Sequence, residues 1–143
     1  MDNEPGYAWA AGFLDGEGCF SIAGTGFGSG GLMIVIAAGQ TRMEPLLRLQ
    51  ELFGGKIYTA GHPKKSTHRQ AYIWRVASRT AAECLNKIQR YLVLKGTQTQ
   101  LMLEFQDTMR GRGQRYPFPQ EVLERRLMIK QQVSVLNKRG PEI

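Results

Sequence analysis

The stretch Ala10-Ala11-Gly12-Phe13-Leu14-Asp15-Gly16-Glu17-Gly18 sets the strongest limits on how this chain can fold. It reads as the end of an apolar helix that carries two glycines and finishes in two acids. Glycine inside a helix costs about 1 kcal/mol relative to alanine. A carboxylate near a helix C-terminus faces the negative end of the helix dipole, an unfavourable term of about 0.3–1 kcal/mol. Two locally costly choices at one point imply that something else requires them there. Tyr7, Ala8, Ala11, Gly12, Asp15 and Gly16 share a face at three- and four-residue spacing, and most of that face is small enough for another backbone to approach closely.

Periodicity and turn residues organise the rest of the chain. Pro5, with Asn3 or Glu4 before it, marks the start of this first helix, expected over 5–17. Residues 19–25 read as a strand in which Phe20 and Ile22 alternate with Cys19, Ser21 and Ala23. A glycine-rich turn over 26–31 leads to a second strand over 32–38, giving a hairpin. Register in that second strand stays open, because both parities are apolar. An apolar stripe from Met43 to Phe53 predicts a helix that Gly54-Gly55 stops. Strands over 56–59 and 70–77 flank a basic loop over 61–69. Ser78 is expected to cap a helix over 79–91, and another helix follows Lys95. After a Gly/Pro/Arg-rich loop over 110–119, a last helix runs from about 120 to 137. The order α-ββ-α-ββ-α-α-α, with strands in hairpins and helices segregated from them, indicates an α+β fold in one domain over 1–143, with 138–143 a disordered tail.

Lys and Arg outnumber Asp and Glu by 19 to 12, a net charge of +7, which points to a polyanionic partner, most often nucleic acid. No apolar run approaches the ~20 residues of a membrane span. The acidic start, Met1-Asp2-Asn3-Glu4-Pro5, has no apolar signal region, so an intracellular location is expected: bacterial or archaeal cytoplasm, or an organelle. Two cysteines, Cys19 and Cys84, are too few for a disulfide framework or a zinc cluster and read as buried or half-buried thiols. His62 and His68 lack partners at metal-ligand spacing. Met33, Met43, Met102, Met109 and Met128 read as core fillers.

The nonapeptide 10–18 resembles the LAGLIDADG motif of the homing endonuclease family. The departures are Ala10 for the first Leu, Phe13-Leu14 for Leu-Ile, Gly16 for Ala and Glu17 for the second Asp. Further segments follow in family order: Gln40-Thr41-Arg42 before Pro45-Leu46-Leu47, then Phe53-Gly54-Gly55-Lys56-Ile57-Tyr58, Tyr72-Ile73-Trp74-Arg75-Val76, and Tyr91-Leu92-Val93-Leu94-Lys95. The resemblance covers about residues 7–137 and is to the single-motif type, whose members act as homodimers. It implies an αββαββα core with a saddle-shaped four-stranded antiparallel sheet, followed by C-terminal helices.

By the same resemblance the chain is a Mg²⁺-dependent endonuclease that cuts double-stranded DNA at a long, near-palindromic site, with no small-molecule cofactor. Glu17 is the implied metal-binding acid, with Gly16 beside it. Gln40 matches the polar residue that organises water near the scissile phosphate, Lys95 the basic residue near the active site, and Arg42 is a weaker match. Pairing of two first helices through Ala8, Ala11, Gly12, Asp15 and Gly16 would explain the glycines and bring two Glu17 carboxylates together. Such a pair repels unless a cation lies between, and hard oxygen ligands suit Mg²⁺. Asp15 has the structural role of accepting from backbone N–H groups of the neighbouring helix. If the aromatic parity of 72–76 faces the core, the opposite parity faces DNA. The expected DNA-facing set is Ser21, Ala23, Thr25, Lys56, Tyr58, Ile73 and Arg75, with Lys64, Lys65, His68 and Arg69 on phosphates. Two alternatives share the fold: an intron RNA maturase, and a DNA-binding regulator without nuclease activity. Retention of Glu17, Gln40 and Lys95 together argues for cleavage.

Overall fold

The computed structural model describes residues 3–24, 31–61, 69–109 and 119–138. Helix α1 (Glu4–Glu17) starts where the Asn3 Oδ1 accepts from the Gly6 N–H at 3.1 Å, which satisfies one of the orphan donors of the first turn. Strands β1 (Gly18–Gly24) and β2 (Leu32–Gln40) precede α2 (Met43–Phe53). Strands β3 (Lys56–Thr59) and β4 (Tyr72–Ala77) precede α3 (Ser78–Ile88), a 3-10 turn over Gln89–Tyr91, α4 (Gly96–Asp107) and α5 (Gln120–Asn137). The expected order is therefore found, with α+β architecture. The basic loop over 62–68, the loop over 110–118 and residues 139–143 of the expected tail lie outside the described residues.

All four strands form one antiparallel sheet in the order β1-β2-β4-β3. The two hairpins lie side by side, joined through β2 and β4. Pairing of Ile36 with both Phe20 and Val76, and of Ala38 with Trp74, resolves the register that the sequence leaves open. Ile34, Ile36 and Ala38 face the helices together with Phe20, Ile22, Trp74 and Val76, and all seven are buried. Met33, Val35, Ala37 and Gly39 belong to the other face.

The helices supply the opposite wall of the core through Leu14, Leu46, Leu49, Leu85, Ile88, Met102 and Phe105. Each large apolar side chain so buried contributes about 1.5–3 kcal/mol. Trp74 is anchored by its indole N–H, which donates to the Gly54 carbonyl at 2.8 Å. The glycine pair after α2 has two causes: Gly54 takes a positive φ of +77°, and Gly55 is required by packing. Gly55 has φ +93°, and a Cβ there would lie 2.7 Å from the Arg75 carbonyl oxygen and 2.6 Å from Val76 Cγ1. On α5, the buried Arg126 donates through Nε to Thr108 Oγ1 (2.9 Å) and through its guanidinium to the Thr108 carbonyl (3.0 Å), tying α5 to the end of α4.

Some local expectations are corrected. Ser78 does not cap α3: it is the first helical residue, has φ +53°, and makes no side-chain capping bond, so the strand turns directly into the helix. Cys19 is exposed because β1 turns it to the open face. Cys84 is buried in the core, and burial pushes its thiol up to about 12 against the lowering effect of Lys87. Met102 fills the core, but Met33 lies on the open parity of β2, Met109 is exposed just past the end of α4, and Met128 is exposed because the buried stripe of α5 is Arg126, Ile129 and Val133. Among the described residues no helix is long and apolar enough to cross a membrane.

Candidate functional site

The site is built where α1 ends and β1 begins. Gly18 is the hinge: its backbone N–H donates to the Leu14 carbonyl, and a Cβ at Gly18 would sit 2.7 Å from that same oxygen. Any larger residue would push the strand off the helix end. This junction leaves Glu17 exposed on the last turn of α1, while Asp15, two residues earlier, is buried.

The two acids have different surroundings. The Asp15 carboxylate accepts from three consecutive backbone N–H groups, those of Val93 (2.7 Å), Leu94 (3.0 Å) and Lys95 (3.0 Å). These lie at the entrance to α4, where a helix dipole favours an anion. The cost of an acid at the end of α1 is thus offset at the start of another helix. Lys95, the residue just before α4, returns the contact: its Nζ donates to the Asp15 carbonyl at 2.7 Å. A lysine at the start of α4 is placed unfavourably for that helix, but it meets the negative end of α1.

Gln40 is drawn to the same end. Ala38 pairs with Gly18, so the last residues of β2 run alongside the α1–β1 junction. The fold therefore brings three separate segments, carrying Glu17, Gln40 and Lys95, to one end of the β1–β2 pair. Arg42 stands on the bend after β2 in an exposed ion pair with Glu44 (2.7 Å), two of its nitrogens donating to the two carboxylate oxygens. That contact raises the Arg42 pKa and lowers that of Glu44. A role for Arg42 beside Glu17 would first require this pair to open.

Among the described residues no group of three His, Cys, Asp or Glu is assembled that could hold a metal. The donor chemistry at the end of α1, a carboxylate and neighbouring backbone carbonyls, fits a hard divalent cation.

The exposed row of α1 is Ala8, Gly12 and Gly16, at four-residue spacing. A Cβ added at Gly12 or at Gly16 would meet nothing within 4 Å, so no packing among the described residues calls for glycine at either position. Two residues expected on this row are elsewhere. Ala11 is fully buried in the chain's own core, and Asp15 is turned inward to residues 93–95, because the face shared at three- and four-residue spacing is wide enough to divide between core and surface.

The face of the sheet away from the helices carries Ser21, Ala23, Lys56, Tyr58, Ile73 and Arg75, as the parity argument predicts; Arg75 lies directly opposite Lys56 and Ala37. Lys56, Tyr58 and Arg75, with Gly55, Ala77 and Thr80, line a shallow cleft of about 240 Å³. Arg69 is exposed at the approach to β4; Thr25, Lys64, Lys65 and His68 lie outside the described residues.

Sequence reasoning missed two features. Asn137, on the last turn of α5, donates to the Phe20 carbonyl at 2.6 Å and accepts from Gln98 at 3.4 Å, closing a cleft of about 340 Å³ next to Lys95. Val93 and Leu94 are 86% and 71% exposed, an apolar pair beside the end of α1. Only the polar residue at the end of an amphipathic helix hinted at the first; nothing local signalled the second.

No curated protein matches the chain. The LAGLIDADG endonuclease profile matches residues 10–109, from the α1 nonapeptide to the end of α4. Among solved structures, the homing endonuclease I-CvuI in complex with its target in the presence of 2 mM Ca superposes with a TM-score of 0.73 at 21% identity, covering 98% of this chain and 87% of the other. An archaeal intron-encoded homing endonuclease complexed with DNA gives 0.73 at 19% identity, covering 98% and 89%. The LAGLIDADG meganuclease I-CpaMI bound to uncleaved DNA gives 0.65 at 23% identity; there the match covers 96% of this chain but 52% of the longer one. The profile spans most of the chain and includes the motif that forms the α1–β1 junction: this protein belongs to the LAGLIDADG endonuclease family.

Proposed function

We propose that the chain is a sequence-specific, Mg²⁺-dependent double-strand DNA endonuclease, acting as a homodimer on a long, near-palindromic site. The observation that carries this reading is the end of α1, where an exposed acid follows two exposed helical glycines that the chain's own packing does not need. A second α1 laid against Ala8, Gly12 and Gly16 accounts for the glycines and brings a second Glu17 to the first. The exposed Val93 and Leu94 beside that helix end add apolar surface to the same contact. The half-length match to I-CpaMI, bound to uncleaved DNA, accords with a module that works in pairs. Twofold symmetry in the protein implies approximate symmetry in the target.

Each residue then has a task in phosphodiester hydrolysis. Glu17, with the Gly16 carbonyl, would hold the divalent cation, which supplies Lewis acidity and charge neutralisation when bound. Lys95, held by the Asp15 carbonyl, sets a positive charge at the edge of the sheet where a phosphate would lie. The Gln40 amide can donate and accept at once, which suits it to orient a water. Arg75, Lys56 and Arg69 present cations from the open face and its approach.

Glu17→Gln tests the assignment. The variant should bind target duplex as the parent does and cut it in Mg²⁺ about a hundredfold more slowly or less, the scale of losing one transition-state charge contact. Cleavage at the parent rate would overturn the role of Glu17.

A further inference from the structure

We infer, on the DNA reading above, that the central strand β2 reads thymine methyl groups instead of hydrogen-bonding base edges. The register turns Met33, Val35, Ala37 and Gly39 to the open face, and none of these side chains carries an N–H, an O–H or an oxygen. At the two ends of the strand the flanking partners continue the pattern, Ala23 opposite Met33 and Ile73 opposite Gly39, while in the middle Ser21 brings a hydroxyl opposite Val35 and Cys19 a thiol opposite Ala37. Val35 is sunk among its neighbours at 5% exposure, whereas Met33, Ala37 and Ile73 are half-buried and present apolar surface. Arg75 is the exception in the middle of the sheet, and it is the direct neighbour of Ala37.

In the major groove every base edge presents a donor or an acceptor, and only thymine adds an apolar group, its C5 methyl. An apolar side chain pressed on an amino or keto edge strips that group of water without replacing the hydrogen bond, at a cost of about 1–3 kcal/mol. The same side chain pressed on a methyl gains by burial. β2 therefore selects thymine by contact and disfavours cytosine by leaving its amino group unpaired. Outward residues on one strand recur about every 6.8 Å, close to two base steps of about 3.4 Å; Met33 and Ala37 are two such intervals apart, with the sunken Val35 between them, so they meet base pairs about four steps apart. Next to Ala37, the Arg75 guanidinium suits guanine O6 and N7. The half-site carries at least two thymines, those met by Met33 and Ala37 about four base steps apart, with a guanine beside the one at Ala37.

The experiment begins with selection of cleavable duplexes from a randomised library, using the full chain in Mg²⁺. The recovered site is then resynthesised with deoxyuridine for thymine, one position at a time, which removes only the methyl. Binding by the Glu17→Gln variant is measured on each duplex. Two or more thymines per half-site should show a three- to fivefold loss, about the worth of one buried methyl, and thymines elsewhere should show none. Ala37→Gln should move the preferred base at one of those positions from thymine to adenine, the base that Gln contacts in bidentate fashion. Equal binding of all uracil-containing duplexes, or a selected half-site without thymines, overturns the methyl readout and leaves the endonuclease reading standing. A library that yields no bound and no cleaved duplex overturns the endonuclease reading itself, and points to a protein partner for the apolar strand.

Discussion

The two faces of the sheet are built by opposite rules. Toward the helices stand Phe20, Ile34, Ile36, Trp74 and Val76, large and buried, each explained by the neighbours it touches. On the open face the same strands carry Ser21, Ala23, Ala37, Gly39 and Arg75 beside Met33, Val35 and Ile73, a mixture of small, apolar and charged side chains of which Val35 alone is buried. Helix α1 repeats the division within fourteen residues: Ala10, Ala11 and Leu14 serve the core, while Ala8, Gly12 and Gly16 are exposed and a Cβ at either glycine would meet none of the described residues. The two acids divide likewise, with Asp15 bonded inward and Glu17 exposed. Surfaces explained from within hold the fold, and surfaces left unexplained are where another molecule belongs.

Paired substitutions can break this contrast. The largest expected effect on stability is at Trp74. Trp74→Ala opens a cavity and strands the Gly54 carbonyl, and should lower unfolding free energy by about 3–5 kcal/mol in urea denaturation. Arg75→Ala, the next residue on the opposite face, should change stability by about 0.5 kcal/mol or less and weaken or broaden DNA binding. Similar denaturation midpoints for the two would dissolve the distinction between the faces.

A smaller difference is expected between the acids. Asp15→Asn keeps the volume but loses charge-assisted acceptance from three N–H groups, a destabilisation of about 2 kcal/mol. Glu17→Gln, at an exposed position, should leave the thermal midpoint unchanged while slowing cutting about a hundredfold or more. A destabilised Glu17→Gln would mean that this side chain also belongs to the fold.

The smallest effect has the opposite sign. Gly12→Ala adds a Cβ into open space and should stabilise the isolated chain by about 1 kcal/mol through helix propensity. The same methyl should weaken self-association in sedimentation equilibrium. Unchanged association would remove the helix-pairing argument, and a loss of monomer stability would reveal an in-chain reason for the glycine.

Much of the fold was legible because its signals are local. Alternation exposed the inward parity of β1 and β4, Gly54-Gly55 marked the end of α2, and Asn3 marked the start of α1. The nonapeptide carried the family. What stayed illegible depended on neighbours remote in sequence. β2 is apolar on both parities, so only its hydrogen-bond register with β1 and β4 assigns Ala37 outward and Ala38 inward. Ala11 and Ala8 are the same residue type on adjoining positions of one helix face, and only tertiary packing sends one inside. Arg126 is a charge that periodicity cannot place in a core; the Thr108 carbonyl and hydroxyl make its burial tolerable.

The sequence by itself determined the elements, their order, the family and the identity of the acid at the end of α1, because propensity, turn chemistry and motif are written in neighbouring residues. Tertiary structure alone decided that Asp15 bonds to residues 93–95, that Lys95 bonds back to α1, and that the segments carrying Glu17, Gln40 and Lys95 meet at one end of the β1–β2 pair. Those contacts span up to 80 positions of chain. Local periodicity carries no information about which distant segments will meet; strand pairing and helix packing supply it.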